Sequence, residues 1–175
     1  MAKPTSHKAE DTITLANVNP TFTYLCRNPI SFLAFGFGSG LSPVLPGTAG
    51  TLAAIPLYLL LVQLPRWAYV VALLVTFIAG IYFCERASKQ LGVHDHGGIV
   101  WDEFVGFWVT MVAVPPTWYW VLLGFFLFRL VDILKPWPIS WADKRLSGGF
   151  GIMIDDVLAA IPAGICLHVA VYFWG

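Results

Sequence analysis

Eighteen consecutive uncharged residues, Trp67 to Cys84, constrain this chain more than any other feature. As a helix they would rise about 27 Å at 1.5 Å per residue, close to the ~30 Å hydrocarbon core of a bilayer. Backbone in lipid has no water to bond, so such a run must be helical. Composition agrees. Hydrophobic residues make up 58% of the 175-residue chain and charged residues only 11%, against about 25% charged in an average soluble domain. A chain of this length cannot bury so much apolar surface inside itself. A disordered chain is excluded by the same figures. Ten Lys and Arg are matched by ten Asp and Glu, which removes the basic footprint of a nucleic-acid binder. The expected fold is all-α, a polytopic membrane helix bundle of about 4–5 segments.

Four further apolar stretches surround this one: Thr51 to Leu64, Phe104 to Val114, Thr117 to Leu134 and Val157 to Trp174. The first contains Pro56 and is 14 residues long, short of a full span unless it begins near Leu41 or is re-entrant. Residues 1–30 are mixed and polar and read as a cytoplasmic tail, with a surface helix expected near Phe22 to Arg27. Residues 31–175 form one membrane-embedded domain. If all five segments cross, Lys3, Lys8, Arg27, Arg86, Lys89, Lys135, Lys144 and Arg145 fall on one side and Arg66 alone on the other. The positive-inside rule then places the tail and the two long loops in the cytoplasm. Cys26, Cys84 and Cys166 are isolated and suggest neither disulfides nor a zinc knuckle.

The same arrangement puts every acid at the cytoplasmic face. Asp102-Glu103 opens one apolar stretch, and Asp155-Asp156, preceded by Gly148-Gly149-Phe150-Gly151, precedes another. Either pair alone suits the positive end of a helix dipole. Two pairs meeting at one face would repel unless a cation sat between them, and hard oxygen ligands select Mg²⁺ or Mn²⁺. Arg129 and Asp132 are i, i+3 and share a helix face. They form either a neutral pair that snorkels to the interface or, with Lys135, a binding face for an anion. The run Gly36 to Thr51 is rich in glycine and hydroxyls and leads into an apolar helix. That suits phosphate at a helix N-terminus, and equally close packing through small residues. His94 and His96 have no third histidine near them in sequence to complete a zinc site.

A phosphate-bearing substrate at the inner leaflet fits these parts. The chain lacks a C-x5-R loop, a D-x-D pair, an Asp-Gly dipeptide and an Arg-His-Gly run. The usual covalent phosphatase nucleophiles and the CDP-alcohol transferase signature are therefore absent. Metal-activated water remains the simplest chemistry. The alternative is a small ion-coupled transporter using the Arg129/Asp132 pair. The shortness of the chain, its lack of an internal repeat and the gathering of acids at one face argue against it.

Three motifs carry a resemblance: Gly36 to Pro56 (GFGSGLSPVLPGTAGTLAAIP), Gly92 to Gly106 (GVHDHGGIVWDEFVG) and Phe128 to Gly164 (FRLVDILKPWPISWADKRLSGGFGIMIDDVLAAIPAG). Together the sequence resembles the phosphatidylglycerophosphatase A family over about residues 31–165. Thr51 stands where that family often has Ser, and Ala160 where Gly is frequent. The resemblance implies a Mg²⁺-dependent phosphatase of the bacterial inner membrane, with its N-terminus and active site cytoplasmic. Its substrate would be the phospholipid phosphatidylglycerophosphate in the inner leaflet, hydrolysed to phosphatidylglycerol and phosphate. No protein partner is indicated. On this reading Asp102, Glu103, Asp155 and Asp156 form the metal shell, with Asp95 as ligand or base. Arg129, Asp132 and Lys135 complete the catalytic group, Arg129 and Lys135 facing the phosphoryl oxygens. Gly47 and Thr48 hold the phosphate.

Overall fold

The computed structural model describes residues 20–93 and 96–175, and every regular element among them is helical. Two short helices, α1 (Phe22–Arg27) and α2 (Pro29–Ala34), lead into a 3₁₀ segment, Gly36–Leu41. Then come α3 (Pro46–Leu61), α4 (Arg66–Leu91), α5 (Trp101–Thr110), α6 (Trp118–Leu134), α7 (Ile139–Arg145) and α8 (Gly148–Trp174). Helix α1 falls where the sequence places it. The Thr21 hydroxyl accepts from the Tyr24 amide as its N-cap. Leu25 and Ser31 are fully buried, so this stretch packs against the domain.

Local chemistry sets the helix ends. Pro46 begins α3 at a position where a missing amide costs nothing. Gly92 ends α4 in the left-handed conformation, φ 69°. Lys135 takes the same conformation at the end of α6, φ 40°, just before Pro136. Helices α4 and α8, with 26 and 27 residues, are long and apolar enough to cross a membrane. Their outer faces expose Trp67, Val71, Leu74, Ile78, Ile165 and Val169, an apolar surface that water would penalise and lipid would not.

Two expectations are revised. Helix α5 has ten residues, about 15 Å of rise, half of a hydrocarbon core. Eight of the ten are buried, because α5 is wedged among α3, α4, α6 and α8. It is the centre of the bundle and not a free-standing span. The last helix begins at Gly148, nine residues before the apolar stretch does, so Asp155-Asp156 lies inside α8. The cause is Glu85 on α4, whose Oε2 accepts from the Gly149 amide at 2.7 Å. That bond satisfies one of the orphan donors of the first turn. A Cβ on Gly149 would run into the Ile81 carbonyl, so only glycine lets α8 approach α4 this closely.

Candidate active site

The N-termini of α3 and α5, the last turns of α6 and the third turn of α8 meet at one end of the bundle. Their polar side chains form two connected groups.

The first group surrounds Arg129. Its Nη1 donates to Glu103 Oε2 on α5 and, at 2.9 Å, to Asp132 Oδ2 one turn along α6. Glu103 also accepts from the Thr51 hydroxyl of α3 at 2.9 Å. That hydroxyl is shared with the Gly47 carbonyl at 3.0 Å. Three helices are therefore tied through one carboxylate. Glu103 and Asp132 are 7% and 8% exposed and Thr51 is wholly buried, so these bonds act where water screens little. Gly47 lies against the same pair. A Cβ there would collide with Glu103 Oε1 and stand 3.0 Å from Arg129 Nη2. The Arg129 Nε is buried and has no hydrogen-bond partner among the described residues.

The second group is acidic. Asp102, Asp155 and Asp156 each offer a carboxylate oxygen within 4.8 Å of the others. Asp155 accepts from Lys135 Nζ at 2.7 Å and from the Asp156 amide at 3.1 Å. Asp156 is 3% exposed and its Oδ2 has no partner among the described residues. Glu103, Asp102, Asp132 and Asp155 all lie within electrostatic reach of it. A buried carboxylate oxygen without a donor is costly, and neighbouring negative charge compounds the cost. A cation removes both penalties, and three hard oxygen donors suit a divalent one. Gly106 makes room for this packing, since a Cβ there would meet the Phe128 ring at 2.6 Å and Asp156 Cβ at 3.1 Å.

Lys135 links the site to α7. Its Nζ donates to Asp143 at 2.7 Å as well as to Asp155. Burial alone would lower the Lys135 pKa, but the two carboxylates hold it above its usual value.

The structure thus brings together Gly47, Asp102, Glu103, Arg129, Asp132, Lys135, Asp155 and Asp156. Glu103 is not one of the three carboxylates grouped within 4.8 Å, and its own carboxylate is engaged by Arg129 and Thr51. Thr48 sits half-buried in the first turn of α3. Asp95 and His94 lie outside the described residues. His96 Nδ1 accepts from the Gly98 amide at 3.0 Å and so braces a turn. Two features escape sequence reasoning: the Glu103–Arg129 pair, 26 residues apart, and the role of Asp143.

The family model described as phosphatidylglycerophosphatase A matches residues 32–171. The phosphatidylglycerophosphatase A of Escherichia coli (strain K12) is 49% identical over 148 residues, 84% of this chain and 86% of that protein. The phosphatidylglycerophosphatase A of Haemophilus influenzae (strain Rd) is 48% identical over 158 residues, 89% of this chain and 96% of that protein. No solved structure matches the chain.

Proposed function

The chain belongs to the phosphatidylglycerophosphatase A family, and from that membership we propose how its residues act. It is a lipid phosphatase that hydrolyses the terminal phosphomonoester of phosphatidylglycerophosphate, giving phosphatidylglycerol and phosphate. The observation that carries the reading is a guanidinium with one nitrogen fixed and another edge unused. Glu103 and Asp132 hold Arg129 by Nη1, while Nη2 faces the Gly47 gap and Nε has no partner among the described residues. A guanidinium edge matches two phosphate oxygens at once.

Each residue then has a task. Arg129 binds and orients the phosphoryl group and stabilises the charge that develops on it. Glu103, anchored by Thr51, positions Arg129. Gly47 keeps the approach open, and the Thr48 hydroxyl and nearby α3 amides offer further donors. Lys135 balances Asp155 and adds positive charge near the leaving phosphate. Asp102, Asp155 and Asp156 are the residues that would hold Mg²⁺. When bound, the ion neutralises phosphate oxygens and lowers the pKa of a bound water. Asp95 remains the candidate ligand or base.

The acid end faces the cytoplasm of a bacterial inner membrane on this reading. The support is the excess of basic residues at that end. Helices α3 and α6 complete the spans, and α5 fills the interior.

The test is phosphate release from phosphatidylglycerophosphate by the pure protein in detergent, with and without EDTA. Release that stops on chelation and returns with Mg²⁺ supports the whole reading. No release from this lipid overturns the activity. Release indifferent to EDTA overturns the cation assignment and leaves the activity standing.

A further inference from the structure

A hollow of about 300 Å³ lies in the seam where α4, α5 and α8 meet. It is walled by Leu73 and Phe77 of α4, Val105 and Val109 of α5, and Ile154 and Val157 of α8. Every lining side chain is apolar. Val105 is 1% exposed and forms the floor, whereas Leu74 at the mouth is 58% exposed. The hollow therefore opens sideways, through the surface that α4 turns outward, and not at the polar end of the bundle.

The acid cluster and the hollow share two walls. Asp102, Val105 and Val109 stand at i, i+3 and i+7 on α5, so they lie along one face. The line from Asp102 to Val109 covers about 10 Å. On α8, Ile154 and Val157 flank Asp155 and Asp156 in sequence. On the α5 side the seam thus carries its charge at the Asp102 end and none from Val105 to Val109. An amphiphile with an anionic head and an apolar tail has the same distribution. Val70 belongs both to this hollow and to one of about 430 Å³ at the opposite end of the bundle.

We infer that the α4–α5–α8 seam binds one acyl chain of the glycerophospholipid whose headgroup phosphate reaches the acid cluster. The chain enters sideways from the bilayer past Leu74 and lies against Val105 and Val109. Binding there fixes the headgroup relative to Arg129, so the lipid is held at two points. This inference rests on the lipid phosphatase reading.

Two measurements test it. In the first, V109F and L74W are compared with the lipid-facing control I78W on diacyl phosphatidylglycerophosphate and on its deacylated, water-soluble headgroup. A groove partly filled by a ring lowers the ratio of kcat/KM for the diacyl over the deacylated substrate by about tenfold or more, the scale of one methylene lost from an apolar pocket. The control keeps the wild-type ratio. Equal losses on both substrates, or an unchanged ratio in both variants, overturn the inference. In the second, phosphatidylglycerol with a diazirine midway along one chain is cross-linked to the wild-type protein. Label concentrated in 70–77, 105–109 and 154–157 supports the groove. Label spread evenly over the outer faces of α4 and α8 overturns it. The second measurement needs no turnover, so it fails or succeeds independently of the hydrolytic activity.

Discussion

The two ends of the bundle are built from the same helices, yet they leave different atoms without partners. At the acid end, the buried atoms unpaired among the described residues include charged ones, Asp156 Oδ2 and Arg129 Nε. Towards the other end they include neutral hydroxyls, Tyr58 Oη and Thr117 Oγ1. There Arg66 is the one basic residue in a wall of Val62, Leu64, Met111 and Pro115. Tyr69 donates to the Trp108 carbonyl at 2.8 Å and is satisfied. A buried charge without a partner costs several times what a hydroxyl does. The difference separates ordinary packing from the end where we propose the active site. Charge was excluded from most of this chain and then concentrated, incompletely neutralised, at one place.

The sharpest way to break this comparison is at Asp156. D156N keeps the size of the side chain and removes its charge. Turnover should fall by about a thousandfold or more, since a lost carboxylate at a cation site removes several kcal/mol of transition-state stabilisation. Repulsion among the acids also falls, so the thermal midpoint without Mg²⁺ should hold or rise. Mg²⁺ should then raise the midpoint of the wild type but not that of D156N. Turnover within tenfold of wild type would mean that the acid cluster is only a charged helix packing. Next in size is R129K. An ammonium can pair with Glu103 or Asp132 but presents no second edge to phosphate. We expect a loss of a few hundredfold in kcat, in the range seen for a removed transition-state donor. A rise in KM with unchanged kcat would instead make Arg129 a binding residue only.

Much of this contrast was legible in the sequence, and the exceptions have physical reasons. The Arg129–Asp132 pair follows from helix periodicity alone. The two acid pairs stand out because so apolar a chain has few charges to spend elsewhere. The start of α8 was not legible. Three glycines weigh against helix, and what stabilises it is Glu85, 64 residues away. Nor does periodicity reveal that α5 is buried on nearly every side, since a short apolar run reads alike in lipid and in a protein core. The partner of Glu103 was hidden for the same reason: it depends on how α5 and α6 pack. Gly47 tests that packing directly. G47A should cost about a hundredfold in kcat, because an added methyl displaces the Glu103–Arg129 pair and an error near 1 Å is enough. It should unfold little, because Gly47 sits at the helix start and not in the core.

Thr51 sits one bond further from the chemistry, and its effect should be smaller. T51A leaves Glu103 held by Arg129 alone. A hydrogen bond to a charged group is worth about 1.5–3 kcal/mol, so turnover should drop by about ten- to a hundredfold. T51S restores the hydroxyl and should return most of the activity. A merely structural role would give the opposite pattern, because Thr51 is wholly buried. Losing its methyl in T51S would then lower stability as T51A does, with no recovery of rate.

The smallest expected effect is at the other end. Arg66 opens α4 beside the larger hollow, about 16 Å of helix rise below Phe77. Nothing at that end couples it to Asp156 or Arg129 through a chain of hydrogen bonds among the described residues. R66Q removes the positive charge of that face while keeping a polar stem, so kcat should stay within about twofold, the scatter of a surface change. Orientation is the more sensitive readout. With Arg66 gone the charge asymmetry between the faces grows, so the fraction inserted with the acid end inward should hold or increase. If R66Q lowered turnover as far as T51A does, the two ends would be energetically coupled. The site would then extend through the bundle instead of ending at α5.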